Sequence, residues 1–187
     1  MIRGENMTLR AVQEHDLETL FRSYSDLDNR GEFFPLWLPS EAGFKRDFHR
    51  HGFWREHRGC LVVVDQANVM LGSIWFYQPL KYVDALEIGY LMFDRGSRNK
   101  GYMTEALALL ARYPFHTRTM RRLQLTVVVG NLASKRVAEK CGFTSEGIAR
   151  KAVFLRGHNV DLEWFSLLRE EAEQQPWWLG NRGEGVA

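Results

Sequence analysis

Arg98, Lys100 and Gly101 crowd the turn Ser97-Arg98-Asn99-Lys100-Gly101-Tyr102-Met103, which runs straight into an apolar-periodic segment from Thr104 to His116. That spacing reads as a helix of about residues 102–116. The first N–H groups of a helix lack intrahelical partners, and the helix dipole places partial positive charge at that end. Two cations gathered there oppose the dipole, and a bound anion removes the conflict. Successive N–H groups, a glycine and two cations make a phosphate cradle by chemistry. The same residues also read as a basic surface loop with a solvated Lys100, and spacing alone leaves both readings open. The turn is not a Walker loop or a G-x-G-x-x-G dinucleotide turn.

Other chemistry-bearing residues lie on both sides of the turn. Asn131 caps the segment 131–143, which closes at Gly142. Ser134 falls in its first turn, where a serine hydroxyl also serves simply to satisfy backbone groups. Glu87 lies on an apolar strand, and alternation puts it on one face with Ala85, Gly89 and Leu91. It reads either as a carboxylate that takes a proton through water or as a solvated strand residue. Asp84 and Tyr90 are further candidates for an acceptor site. His49, His51 and His57 stand at i, i+2 and i+8. Residues two apart on a helix do not face each other, and no H-E-x-x-H is present, so no metal is expected. Phe33, Phe34 and Trp37 are either core or the wall of a pocket.

The elements that must position these groups follow from pattern. Residues 7–12 alternate as a strand, and 14–24 carry Leu17, Leu20, Phe21 and Tyr24 at helical spacing. Residues 29–40 contain a glycine and two prolines and read as a loop. Ser40 is an N-cap for a helix over 41–56. Residues 60–78 read as a hairpin turning at 66–68, and 84–94 and 122–130 as strands. Residues 146–170 read as two strands around a turn at 156–159. The order β-α-α-β-β-β-α-β-α-β-β implies a mixed α+β domain whose strands 84–94 and 122–130 run parallel. Ligands in such units bind beyond the carboxyl ends of the strands, where the basic turn and Asn131 both lie.

Length and composition bound the rest. A chain of 187 residues, 45% hydrophobic and 26% charged, suits one soluble domain spanning 1–187. Its core is expected at about 5–170, and 171–187 reads as a tail with a disordered end. A net charge of +2 is too small to argue for nucleic acid. No stretch is long and apolar enough for a membrane span, and residues 1–10 lack the apolar region of a signal peptide. Cys60 and Cys141 have no metal or redox spacing. A cytoplasmic location is expected, with Cys141 a buried structural thiol.

Arg98-x-x-Gly101-x-Met103 followed by Thr104-Glu105-Ala106 resembles the pyrophosphate-binding motif Q/R-x-x-G-x-G/A of the GNAT superfamily of N-acetyltransferases. Met103 departs from its small third residue. The wording "GYMTEA", the block "NLASKRVAEKCGF" at 131–143, "LEIGYLMF" and "FLRGHNVDLEWFSLL" resemble the ribosomal-protein N-terminal acetyltransferase (Rim-type) branch. The likeness covers roughly residues 5 to 170. It implies a mostly antiparallel central sheet flanked by helices around a β-α-β-α acetyl-CoA unit. It also implies acetyl-CoA as co-substrate without a metal. Leu91, Met92 and Phe93 would pair with the pantetheine arm. Arg98, Asn99, Lys100, Gly101, Tyr102, Met103 and Thr104 would hold the pyrophosphate. Asn131 would reach the pantetheine, and Ser134 would sit by the sulfur.

The superfamily commonly places a tyrosine acid seven residues after the asparagine, but Ala138 stands there. In the Rim-type branch the proposed replacement is the serine three residues on, here Ser134. Phe33, Phe34, Trp37, Glu87 and Tyr90 would line the acceptor site. The implied activity is transfer of acetyl to a peptide N-terminal α-amine or a small amine such as an aminosugar, by a monomer or homodimer. At pH 7 a lysine-type amine is neutral roughly once in 2,500, and an α-amine about once in seven, which favours α-amines where no strong base is present. The competing reading is a non-catalytic acyl-CoA-binding sensor or interaction module.

Overall fold

Strand alternation sorts the apolar residues onto two faces of one sheet, and the helices follow the apolar stripes. The computed structural model describes residues 1–179. In chain order the elements are β1 (Ile2–Arg3), β2 (Met7–Ala11), α1 (Leu17–Ser25), α2 (Glu41–His51), β3 (Trp54–Arg55), β4 (Arg58–Asp65) and β5 (Met70–Tyr77). They continue with β6 (Ala85–Met92), α3 (Tyr102–Thr117), β7 (Arg122–Val128), α4 (Leu132–Lys140), β8 (Thr144–Leu155), β9 (His158–Leu168) and α5 (Arg169–Ala172). Nine strands form the sheet in the order β1-β2-β4-β5-β6-β7-β9-β8, with β3 beside β4. All pairings are antiparallel except β6 with β7. This is the expected mostly antiparallel sheet with flanking helices.

The parallel pairing is short. Ala85, Leu86 and Glu87 match Arg122, Leu123 and Gln124, and there it stops. Beyond Glu87, β6 stays with β5 as far as Met92, while β7 stays with β9 as far as Val128. The two central strands therefore part into a wedge that opens at their carboxyl ends. On one face Leu86 and Ile88 of β6, with Leu123, Leu125 and Val127 of β7, pack under α3 and α4. On the other, Leu91, Val62 and Val64 pack with Leu17 and Leu20 of α1, and Phe44 and Phe48 of α2 close that side.

Local chemistry sets the helix ends. Ser40 Oγ accepts from the Gly43 N–H, so α2 starts where the cap predicts. It stops at His51, short of the expected residue 56, because Gly52 is left-handed at φ 60° and closes the helix. Residues 54–55 then pair with β4. The two-residue strands β1 and β3 and the single-turn α5 are too short for periodicity to show. Of the tail, Trp177 and Trp178 pack on the α3 side of the core, and Gln175 lies where a Cβ on Gly142 would be. The expected disorder of the tail's end falls on 180–187, outside the described residues.

Candidate active site

The basic turn is built to leave donors open. Asn99 and Gly101 are left-handed at φ 61° and 84°, and a Cβ built on Gly101 meets nothing within 4 Å. The first helical bond of α3 runs from the Glu105 N–H to the Gly101 carbonyl. The N–H groups of Tyr102, Met103 and Thr104 are thus the orphan donors of the helix start, facing open space. Met103 is 6% exposed and points into the core, so its bulk leaves the turn clear despite the departure from a small residue. Glu105 pins the helix by accepting from the N–H groups of Glu5 and Asn6. Lys100 is exposed. These features fit a diphosphate.

Arg98 differs from expectation. Its N–H is bonded to the Arg95 carbonyl, and its Nη2 donates to the carbonyls of Asn29 (3.0 Å) and Met92 (3.5 Å). The guanidinium ties the α1–α2 loop to β6 instead of standing free over the turn. The strand residues also divide. The Phe93 N–H donates to Leu71 of β5, and ladder alternation turns Leu91 the same way. Of Leu91, Met92 and Phe93, the backbone of Met92 alone faces the wedge, joined there by that of Tyr90. The Leu91 and Phe93 side chains are core.

Tyr90 lies on the opposite face of the sheet from Glu87. Its ring packs with the α3–α4 core, and its hydroxyl lies 2.8 Å from Ser134 Oγ and 3.3 Å from the Ser134 carbonyl. Tyr90 is therefore removed from the acceptor wall and placed with Ser134. Parity along the strand already separated them: Glu87 and Tyr90 are three residues apart, so their side chains point to opposite faces. Burial pushes the Tyr90 phenol well above its ordinary value, outweighing the Ser134 hydrogen bond, so it stays a neutral donor. Asn131 Oδ1 accepts from the Ser134 N–H at 3.2 Å, which fixes the first turn of α4 and leaves the amide Nδ2 for other contacts. Lys135 bonds Glu163 at 2.9 and 3.0 Å and ties that turn to β9.

Glu87 sits at the fork, in the last register pair before the strands part. Gln124 Nε2 donates to it at 3.1 Å and Thr126 Oγ1 at 3.3 Å, both from β7. No signal in the sequence marks these partners, because the register Glu87–Gln124 is set only when the two distant strands pair. Beside it, the Trp75 indole covers Gly89, where a Cβ would come within 2.6 Å of the ring. Glycine is what lets that ring lie flat on the strand. Phe34 meets Trp75 edge-on at 6.3 Å, Phe33 lies near Gly130, and Trp37 is 49% exposed. All three aromatics line the groove, with Phe34 set against Trp75. An open groove of about 1660 Å³ joins the basic turn, Ser134, Tyr90, Glu87, Trp75 and Phe34. That exceeds an ordinary small-ligand pocket and suits two substrates end to end.

The histidines separate. His49 contacts Glu14 at 3.0 Å, His51 contacts Arg55, and His57 lies near Glu56. Among the described residues no three His, Cys, Asp or Glu side chains gather as a metal site. Asp84 lies away from the groove, in a smaller cavity with His57 and Arg118. Cys141 is fully buried, its Sγ donates to the Thr104 carbonyl at 3.2 Å, and burial pushes its thiol up to about 12. It is a strut between α4 and α3.

Comparison with known proteins bears on this geometry. The acetyltransferase (GNAT) domain family matches residues 6–144. The N-acetyltransferase YnaD of Bacillus subtilis, itself uncharacterised, is 30% identical over 172 residues, covering 91% of this chain and 98% of YnaD. The ribosomal-protein-S5-alanine acetyltransferase of Vibrio fischeri superposes with a TM-score of 0.76 at 20% identity, over 90% of this chain and 96% of that one. The spermidine N-acetyltransferase of Vibrio cholerae, in complex with CoA and spermine, superposes with a TM-score of 0.78 at 18% identity, over 89% and 97%. The two structures share the fold while acting on different amines. With its forked sheet, open-ended α3 and family match, the chain belongs to the GNAT acetyltransferase family and is an acyltransferase.

Proposed function

We propose that this enzyme transfers acetyl from acetyl-CoA to a primary amine, a peptide α-amine or a small amine such as an aminosugar, by direct attack. The observation that carries the reading is the Tyr90–Ser134 hydroxyl pair, 2.8 Å apart, at the start of α4 and beside the wedge. The N–H groups of 102–104 and Lys100 hold the diphosphate, and the wedge-facing backbone of Tyr90 and Met92 receives the pantetheine as a strand would. The thioester then lies between the face of Glu87 and the face of Ser134.

Glu87 takes the ammonium proton through water, which makes the amine a nucleophile. The nitrogen attacks the carbonyl carbon, the C–S bond breaks with its electron pair left on sulfur, and the second proton, shed by the new amide nitrogen, passes to solvent water. Tyr90 donates to Ser134 Oγ, which frees the serine proton to meet the thiolate. The dipole of α4 favours the same charge. A thiol of pKa near 8.5 is already a fair leaving group, so a hydrogen bond suffices.

Ala138 removes the usual tyrosine, the feature that favours a non-catalytic sensor instead. The test is thiol release from acetyl-CoA across peptides with free N-termini, aminosugars and spermidine. Release with an amine of the first two classes is expected. Binding of the coenzyme with no release for any amine would establish the sensor instead.

A further inference from the structure

Arg30, in the α1–α2 loop, is 5% exposed, yet its Nε and Nη1 have no hydrogen-bond partner. Its Nη2 donates to the Trp37 carbonyl at 2.8 Å. The guanidinium lies over the rings of Phe34 and Trp37, at 5.2 and 5.4 Å from their centroids. It forms no ion pair with any described residue. The contrast is Arg10, also buried, which Asp16 grips with both oxygens at 2.6 and 2.9 Å. Burying an arginine with unused donors and no counter-ion is costly, and folded proteins rarely leave it so.

A second guanidinium converges on the same loop. Arg156 is carried at the tip of the β8–β9 hairpin, where it and Gly157 are both left-handed at φ 49° and 91°. Its Nη2 donates to the carbonyls of Gly31 (3.1 Å) and Leu27 (3.4 Å). Burial first, then Arg156, pulls the Arg30 pKa down, and Asp26 opposes them only in part. The loop holds Asp26, Asp28 and Glu32, yet none of them pairs with Arg30, whose Nε and Nη1 stay without a partner. Both arginines line the groove. Phe34 links Arg30 to Trp75 and so to the Glu87 face, where the amine is to be held.

We propose that Arg30, supported by Arg156, is the receptor for an anionic group, a carboxylate or a phosphate, carried by the acceptor amine. The proposal rests on the acetyl-transfer reading above. A planar guanidinium held against two aromatic rings presents its donors in a fixed plane, the geometry that carboxylate and phosphate oxygens match. Trp37, whose ring faces the guanidinium at 5.4 Å, is 49% exposed. On this proposal the anion reaches the unpartnered nitrogens by displacing the half-exposed Trp37 ring.

Matched acceptors differing by one anion test this: glucosamine against glucosamine 6-phosphate, and Ala-Phe as free acid against its C-terminal amide. The anionic member is expected to have the higher kcat/KM by roughly 10- to 100-fold, the worth of hydrogen bonds to a charged group. Arg30→Gln should bring the ratio near one, and Arg30→Lys should keep part of it. Arg156→Gln, at an exposed tip, should lower the ratio even if the Arg30 variants fold poorly. Independently of turnover, inorganic phosphate is titrated into protein saturated with CoA while tryptophan fluorescence is followed. The parent should respond and Arg30→Gln should not.

If no amine releases thiol but phosphate binds through Arg30, the receptor stands and the acetyl-transfer reading alone falls. If phosphate leaves the CoA-loaded parent unchanged and Arg30→Gln weakens CoA itself, the guanidinium serves the coenzyme's phosphates and the proposal is wrong. It is equally wrong if Arg30→Gln lowers the thermal midpoint and moves neither ligand.

Discussion

At the scale of single residues, the proposed chemistry rests on two hydroxyls on one side of the wedge and a carboxylate on the other. Ser134 is held from two directions, by Asn131 at its N–H and by Tyr90 at its Oγ. We expect Ser134→Ala to lower turnover by roughly 10- to 1,000-fold, about 1.4 to 4 kcal/mol in the barrier, with little change in coenzyme affinity. Tyr90→Phe should cost roughly tenfold, since it removes the group that orients the serine proton and not the serine itself. Single-turnover kinetics under acetyl-CoA saturation separate these effects from binding. Unchanged turnover in both variants would hand the thiolate to water and the helix dipole. A large loss of coenzyme binding in Ser134→Ala would make the serine a cap and nothing more.

At the scale of elements, a turn and an ion pair decide how the working parts are presented. Gly101 is left-handed with open space beside it, and the proposal has the first N–H groups of α3 hold the diphosphate there. A ligand that binds only the folded state at 100 times its Kd stabilises by about 2.7 kcal/mol, so acetyl-CoA should raise the melting temperature of the parent. Gly101→Asp should abolish that rise. Aspartate tolerates the left-handed backbone better than most residues, so the fold survives while its charge repels diphosphate. A rise equal to the parent's would show that the turn is not the phosphate site. Farther along the sheet, the Arg10–Asp16 pair joins β2 to the start of α1, with side chains 10% and 4% exposed. Burial alone would raise the Asp16 pKa, but the bonds from Arg10 and the Gln13 N–H win and hold it below the usual range. Asp16→Asn strands a buried cation and should cost about 3 to 5 kcal/mol in urea unfolding. A loss under 1 kcal/mol would mean that water reaches the pair.

At the scale of the whole molecule, the wedge exists because the sheet has two halves that stay joined at one end only. On the β7–β9–β8 half, Arg122 grips Glu146 at 2.7 and 2.5 Å, and Ser166 donates to the same carboxylate at 2.8 Å. Arg122 first, and then Ser166 against burial, lowers the Glu146 pKa to about 2. Its unfolded value is near 4.3. The folded state therefore binds this proton more weakly, and the contribution is full above the unfolded pKa and fades as pH falls through about 2. Glu146→Gln should be less stable than the parent at pH 7, with the gap closing toward pH 2. Urea midpoints at three or four pH values measure this, and a gap independent of pH would mean the ion pair is idle.

Much of this was determined by the sequence itself, because it depends on neighbours in the chain. The Ser40 and Asn131 caps, the hairpin at 66–68, the start of α3 just after the basic turn and the face occupied by Glu87 all follow from local spacing, and the structure has each of them. The motif at 98–104 resembles that of the family to which the chain belongs. Tertiary structure decided what depends on register between distant strands. Tyr90 meets Ser134 across 44 residues only because β6 and β7 separate beyond Glu87, and no local pattern records where a pairing ends. Arg98 was drawn from the turn to the Asn29 carbonyl by a loop 69 residues away. Arg30 became a buried cation because Phe34 and Trp37 folded over it, and a lone arginine in a loop carries no mark of its eventual burial. Short-range sterics and hydrogen bonding are written in adjacent residues, whereas burial and long-range pairing emerge only when the whole core has packed.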